Sequence, residues 1–379
     1  MNRKIITSSQ RKRLATIEVF LRSENISLSS LVQIKGDASF RTYYRIKDRN
    51  LLLMDANPKT NEKISSFIKI QKKLSLIGVR TPKIFKKSVS LGLMIIEDFG
   101  SLSFIECIEG SETHPNLYYD AIEVLIEIHE KSMLWPEVTK NIKKYTFNEQ
   151  IKETELYFEW YLSKHLKKRV LHNEKVKFYK ILKKIYKELD IKNYSLVLRD
   201  FHIDNIIPFH DDEPPLTTKN IIDKFALTSG ARYTLGIIDF QDALIGSPAY
   251  DFCSLIEDVR APMDQLQKES LISKYIFYTK NYLYEKKNGE KEDCEKKLIS
   301  AEKIKIAEST LMNFKAQISY FSIQRNLKIL GIFSRLKYRD KKTKYKKYLP
   351  TAKKFVREHI KKPQFKELKD WFAENKISV

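Results

Sequence analysis

The sequence changes rhythm near residue 100, and that change limits what the chain can fold into. Before it, short β-prone runs dominate: Leu31–Lys35, Thr42–Lys47, Leu51–Met54, Pro82–Lys87 and Leu91–Ile96. Turns at Gly36–Asp37 and Asp48–Asn50 separate the first three. One helix is expected among them, over Glu62–Leu76, with Ile64, Phe67, Ile68, Ile70 and Leu74 spaced for a buried face. A further helix is expected around Leu14–Leu21. After Gly100 the period becomes helical, at Tyr118–His129, Gln150–Leu162 and Val176–Leu189. Two short apolar strands, Ser195–Leu198 and Leu235–Ile238, are expected to form a pair inside this region. From Ala249 onward the chain reads as helical again, apart from a charged turn near Asn288–Asp293. The fold class implied is α+β. A small sheet-plus-helix lobe over residues 1–98 leads into a larger, mostly helical lobe over residues 99–379.

Composition narrows the function classes. The 379 residues are 42% apolar and 12% aromatic, enough to build a core and too much for a disordered chain. No apolar run approaches the roughly 18 residues that span a bilayer, and Met1–Arg13 lacks the apolar stretch of a secretory signal. Cys107, Cys253 and Cys294 are few, odd in number and far apart, which suits neither a disulfide framework nor a zinc site. A reducing, cytoplasmic compartment is expected. The formal charge of +22 comes from lysines spread along the chain, as at Lys72–Lys73, Lys167–Lys168, Lys183–Lys184 and Lys341–Lys347. No nucleic-acid-binding signature accompanies them, so neither nucleic acid nor a membrane is expected as a partner. No feature fixes an oligomeric state; a monomer is favoured.

The chemistry concentrates in two segments, Leu196-Val-Leu-Arg-Asp-Phe-His-Ile-Asp-Asn205 and Gly236-Ile-Ile-Asp-Phe-Gln-Asp242. In each an apolar strand ends abruptly in polar residues, which holds reactive groups at a rigid terminus. The four-residue gap between Asp200 and Asn205 is that of a phosphotransferase catalytic loop. Phosphoryl transfer needs a carboxylate that orients the acceptor hydroxyl and takes its proton, and Asp200 suits that part. It also needs oxygen ligands that hold Mg²⁺ against the phosphates of ATP, and Asn205 and Asp239 suit those. Asp239-Phe240-Gln241 stands where a D-F-G tripeptide would.

These segments resemble the aminoglycoside phosphotransferase/choline kinase superfamily, whose loop usually reads H-G-D-x-H-x-x-N. Asp200, His202 and Asn205 match, while Leu198-Arg199 replaces His-Gly. Within it, the chain is most similar to the bacterial N-acetylmuramate/N-acetylglucosamine anomeric kinases of cell-wall recycling. The similarity lies in Gly36-Asp-Ala-Ser-Phe-Arg41, Leu53-Met-Asp-Ala56, Leu198-Arg-Asp-Phe-His202, Asp239-Phe-Gln-Asp-Ala-Leu-Ile-Gly246, Pro248-Ala-Tyr-Asp251 and Gln324-Arg-Asn-Leu-Lys-Ile-Leu-Gly331. The resemblance implies a bilobal, protein-kinase-like fold. It also implies phosphate transfer from ATP to the anomeric hydroxyl of an N-acetylated amino sugar. Ser39, Arg41 and backbone amides of the 36–41 turn would then cover the phosphates, and Ile96-Glu97-Asp98 would be the hinge that meets adenine.

Other residues carry two readings. His129 suits a buried structural histidine, and His202 a scaffolding hydrogen bond in the loop. Asp242 suits a contact to sugar hydroxyls or a helix cap; Asp251 suits a buttress behind the loop. Gln324 and Arg325 interrupt an otherwise apolar helix and face either the acceptor or solvent. A guanidinium at Arg325 would suit the lactyl carboxylate of muramate.

Two departures stand out. The strand that carries a phosphate-binding lysine in kinase-like folds reads Leu51-Leu-Leu-Met-Asp-Ala56 here, leaving Arg41 and Arg45 as candidate cations. Residues 210–232 read as a surface excursion between the catalytic strands. The competing assignments are a kinase for another small hydroxyl acceptor (an aminoglycoside, choline or homoserine) and a non-catalytic nucleotide-binding partner.

Overall fold

The computed structural model describes residues 8–34, 41–59, 64–109, 116–209, 234–288 and 301–378. They fall into two compact units, one from Met1–Glu112 with Asp204–Asp242 and one from Thr113–Ile203 with Ala243–Val379. The chain crosses between them three times, so neither unit is continuous in sequence.

The first unit is built on a five-stranded antiparallel sheet. In chain order the strands are β1 (Leu31–Ile34), β2 (Thr42–Ile46), β3 (Leu51–Asp55), β4 (Ile84–Ser88) and β5 (Leu93–Glu97), arranged β1-β2-β3-β5-β4. Strand β5, between β3 and the edge strand β4, is buried along Leu93–Ile96. Helix α1 (Ser8–Arg22) covers one face, its Ile17, Phe20 and Leu21 packed with Ile46, Leu53, Leu93 and Ile95. That i, i+3, i+4 stripe is what holds a short basic helix to the sheet, each buried side chain contributing roughly 1.5–3 kcal/mol. Helix α2 (Ile64–Leu76) buries Ile64, Phe67, Ile70 and Leu74, and the Phe67 ring lies 4.7 Å from that of Phe240. A short α3 (Phe104–Glu109) follows β5.

The second unit is mostly helical. It contains α4 (Asn116–Leu134), α5 (Pro136–Thr139), α6 (Phe147–Leu156), α7 (His172–Glu188), α8 (Pro248–Ile256), α9 (Gln265–Asn288), α10 (Ala301–Tyr338), α11 (Leu349–Ile360) and α12 (Lys366–Glu374). The α+β architecture expected from the sequence is therefore the one observed. Among the described residues no helix is long and apolar enough to cross a membrane. His129 on α4 is buried, and its Nδ1 meets the Tyr275 hydroxyl at 2.8 Å, which is the structural reading of that residue.

The two strands expected to pair with one another do not. Ser195–Val197 (β6) pairs with β9 (Leu244–Gly246), and Thr234–Ile237 (β8) pairs with β7 (Ile206–Phe209). Both missing partners are poor strand signals: β7 carries Pro208, and β9 is three residues ending in glycine. The expected helix Gln150–Leu162 also changes character. It is α-helical to Leu156 and π-helical over Tyr157–His165. The switch occurs where α10 passes: a Cβ on Gly331 would lie 2.3 Å from the Leu156 carbonyl carbon and 2.6 Å from the Tyr157 nitrogen. Only glycine lets these two backbones approach so closely.

Candidate active site

In the second unit, the segment leading to Asp200 is held by its backbone. The Asp251 carboxylate accepts the N–H of Leu198 at 2.5 Å and of Arg199 at 2.8 Å. Asp258 accepts the N–H of Ile203 at 3.4 Å and that of Arg260 at 3.0 Å. The local sequence puts these carboxylates in place. Ser247 caps α8 by accepting the Ala249 amide, Pro248 fixes the first turn, and Asp251 therefore falls in that turn. The buttressing role expected of Asp251 is the one its bonds support.

Arg199 occupies the position where the resembled loop carries glycine, and it takes the left-handed backbone that glycine favours, with φ of +73°. For a residue with a Cβ this costs roughly 1–2 kcal/mol. Its side chain offsets the cost: the guanidinium pairs with Glu153 and lies 5.6 Å from the centre of the Tyr145 ring.

Glu153, which nothing in the sequence singled out, is the hub of a polar cluster. It accepts from the Tyr145 hydroxyl, from Arg199, from Gln324 at 3.3 Å and from the Lys328 ammonium at 3.0 Å. Burial opposes its charge, but Lys328 and Arg199 together with these bonds push its carboxyl down to about 2. Gln324, Arg325 and Lys328 share one stretch of α10. Gln324 and Arg325 are buried rather than facing solvent, and the Arg325 Nη1 has no bonding partner among the described residues. Asp200 itself is half-buried. Burial raises its carboxyl, yet the charges of Lys328, His202, Arg325 and Arg199 outweigh that and hold it below the usual range. Burial pushes His202 down to about 4, so above that pH the lasting contributions come from the lysine and the two arginines.

In the first unit, β7 and β8 bring Asn205 and Asp239 together. Ile206 is in register with Ile237, and the Ile238 N–H donates to the Asn205 carbonyl at 3.0 Å. Asp239 also has a left-handed backbone, φ of +57°, and its side chain is about half exposed. Its Oδ1 accepts from Gln241 at 2.8 Å and lies 3.7 Å from Arg41 Nη1. A side-chain amide oxygen and a carboxylate are the hard oxygen donors that Mg²⁺ takes. Among the described residues no group of three His, Cys, Asp or Glu could cage a metal alone.

The candidate cations separate clearly. Arg45 is committed to Asp98 and to the Gly100 carbonyl, the latter at 3.0 Å. The strand position without lysine presents buried Met54, while Asp55 is paired to Arg13 of α1 at 2.5 Å. Arg41 is the one that reaches Asp239. On β5, the Glu97 carboxylate is taken by Arg80, at 2.7 and 2.5 Å, and by the Lys83 amide. That same guanidinium stands 5.2 Å and 5.0 Å from the Phe99 and Phe209 rings. Asp242 is exposed. Ser39, with the rest of the 36–40 turn, and the 210–232 excursion lie outside the described residues.

Residues 30–218 match the phosphotransferase enzyme family. Over 328 residues the chain is 25% identical to the N-acetylmuramate/N-acetylglucosamine kinase of Neisseria meningitidis serogroup B, covering 85% of this chain and 83% of that protein. It is 24% identical to the protein of the same name from Pseudomonas putida over 92% of this chain and 89% of that one. On these likenesses the chain is a phosphotransferase. In fold, the phosphotransferase is similar to choline kinase LicA from Streptococcus pneumoniae, with a TM-score of 0.55 at 13% identity over 92% of this chain and 99% of that one. A Plasmodium vivax ethanolamine kinase gives the same TM-score at 12% identity, over 93% and 89%. The fold of the phosphotransferase is thus the kinase-like one.

Proposed function

We propose that the chain transfers the γ-phosphoryl group of Mg·ATP to the anomeric hydroxyl of N-acetylmuramate or N-acetylglucosamine, as a cytoplasmic step of cell-wall recycling. The observation that carries this reading is the match, over most of both chains, to relatives that bear that name, together with retention of Asp200, Asn205 and Asp239. Asp200 accepts the acceptor proton as the acceptor oxygen bonds to the γ-phosphorus. The bond from that phosphorus to the β–γ bridging oxygen breaks, and ADP leaves with the electron pair. Bound Mg²⁺ supplies charge neutralisation on the phosphates, and Asn205 and Asp239 are the residues that would hold it. Arg41, with Ser39, serves the phosphates, and the backbone at Glu97 meets adenine. The nucleotide-binding lobe is assigned to residues 1–98 and the catalytic and acceptor lobe to residues 99–379.

Acceptor chemistry supports a sugar over an ammonium compound. The fold neighbours named for choline and ethanolamine take cations, whereas the charges that act on Asp200 here come from Lys328, Arg325 and Arg199. A cationic acceptor would meet repulsion at the reacting end. Arg325 and Asp242 are the residues assigned to the acceptor, which for muramate includes a carboxylate. The test is ATP consumption by the purified protein against N-acetylmuramate, N-acetylglucosamine, glucose, choline and kanamycin. Turnover confined to the N-acetyl sugars is expected; turnover with choline or kanamycin alone would overturn the sugar assignment.

A further inference from the structure

We propose that Lys328 is a positioning residue of the transfer reaction, anchored by Glu153 and acting through Asp200 as the fixed positive charge that keeps that carboxylate ready to accept the acceptor proton. The inference rests on the assignment of Asp200 above and adds a residue that the loop itself does not contain.

Lys328 lies one turn beyond Gln324 on α10, with only 12% of its side chain exposed. An ammonium so enclosed keeps its charge only if paired. Its Nζ donates to Glu153 Oε1 at 3.0 Å and to the Tyr250 hydroxyl at 3.4 Å. Tyr250 directly precedes Asp251 on α8, so Lys328 is tied both to the Glu153 hub and to the buttress of the loop. Glu153 is not Lys328's alone, because it also pairs with Arg199. Lysine and arginine together carry two positive charges against one on Glu153. Asp200, bonded in sequence to Arg199, offsets that excess only when it is ionised. A proton placed on Asp200 leaves the positive excess uncompensated in a mostly buried cluster, which resists that proton until the reaction delivers it.

The other groups around Asp200 add to the positive side, are neutral, or are committed elsewhere. Arg325, also on α10, adds a further positive charge. His202 is neutral above about pH 4. Asp258, one turn past Ser254, is committed to the amides of Ile203 and Arg260 and to the Arg260 side chain at 3.1 Å. Asp251 is committed to the amides of Leu198 and Arg199, and burial pushes its carboxyl up to about 7. The shift of Asp200 agrees with the count, with Lys328 first among the charges that lower it.

The test compares Lys328→Met and Lys328→Arg. Methionine keeps the volume and leaves Glu153 with Arg199, Tyr145 and Gln324, so the hub stays paired. In Lys328→Met the acid limb of kcat/KM with an N-acetyl sugar is expected to move to higher pH by about one unit, the direction set by losing an opposite charge. Lys328→Arg is expected to bring the limb back. A limb at its wild-type position in Lys328→Met, even with reduced kcat, would overturn the proposal and leave Lys328 a structural residue. A second readout needs no turnover: carbonyl NMR of the [¹³C]Asp-labelled full chain, with the Asp200 and Asp251 signals identified from Asp200→Asn and Asp251→Asn. The Asp200 titration is expected to rise in Lys328→Met, and an unchanged titration would sink the inference. Failure of the wild-type chain to phosphorylate any sugar would instead remove the functional assignment and leave this titration to decide the charge relationship.

Discussion

The Asp251 carboxylate accepts the backbone N–H of Arg199 at 2.8 Å, and Arg199 is held there in a left-handed conformation that its side chain does not favour. Together with the bond to Leu198, this fixes the approach to Asp200 from behind. Asp251→Ala leaves two enclosed N–H groups without an acceptor, each costing about 1–3 kcal/mol. Thermal unfolding of that variant is expected to fall by several degrees, and kcat by about tenfold or more, while the affinity for ATP measured by calorimetry stays near that of the wild type.

Arg199→Gly separates backbone from side chain. Glycine relieves the left-handed strain, worth about 1–2 kcal/mol, but strips one of two cations from Glu153. The account expects stability within about 1 kcal/mol of wild type, because gain and loss offset, together with a reduced kcat. Denaturant unfolding and steady-state kinetics on the same preparation check the two halves.

Gly331→Ala forces α10 away from the junction between α6 and the π-helix, since the added methyl would sit 2.3 Å from backbone. The higher helix propensity of alanine returns up to about 1 kcal/mol, less than the strain of overpacking against a main chain that has no rotamer to move. A net loss of about 1–3 kcal/mol is expected from urea unfolding. Because α10 carries Lys328, kcat should fall with it.

Arg41 and Arg45 give opposite phenotypes. Arg41→Met removes the cation beside Asp239, and KM for Mg·ATP is expected to rise by about tenfold with little change in unfolding temperature. Arg45→Met strands the enclosed Asp98 carboxylate, so the unfolding temperature should drop while KM for Mg·ATP moves little. The reverse pattern would reassign the phosphate cation.

Stability has a predictable pH slope. Burial pushes His129 down to about 3 and His202 to about 4, so each is neutral when folded but binds a proton below about 6.5 when unfolded. Both therefore cost stability as pH falls from about 6.5. Asp251, pushed up to about 7, holds a proton when folded that the unfolded chain releases above about 3.9, and this adds stability over the same fall. Burial lowers His165 as well, so proton uptake on unfolding outweighs the release from Asp251 and stability is expected to fall as pH drops below about 6.5. His129→Gln removes one uptake, and chemical unfolding between roughly pH 6 and 4.5 should then show a slope shallower by about 1.4 kcal/mol per pH unit.

Much of this was legible in the sequence, and the parts that were not have physical reasons. The sheet of the first unit, α2 and α4 show period-2 and period-3.6 patterns, so their existence followed from spacing. The loop residues Asp200, Asn205 and Asp239 stood at abrupt strand ends, a local signal. The pairing of β6 with β9 and β7 with β8 was hidden because two of the four strands are too short or proline-bearing to register. Glu153 was hidden for another reason: on α6 it looks like any surface glutamate, and only the approach of α10 at Gly331 gives it Lys328 as a partner. Lys328 carried a usable clue, falling four residues after Gln324 within an apolar helix. The glycine-to-arginine change at Arg199 was visible, but not that Arg199 would keep the glycine backbone.

The most direct test of the central claim is phosphorus NMR of the product formed from Mg·ATP and N-acetylmuramate by the wild-type chain and by Asp200→Asn. The account predicts an acid-labile, alkali-stable sugar 1-phosphate, with the phosphorus coupled to the anomeric proton, from the wild type. It predicts no detectable product from the variant, which should still bind ATP. A phosphate ester at any other hydroxyl, or near-wild-type turnover by Asp200→Asn, would contradict it.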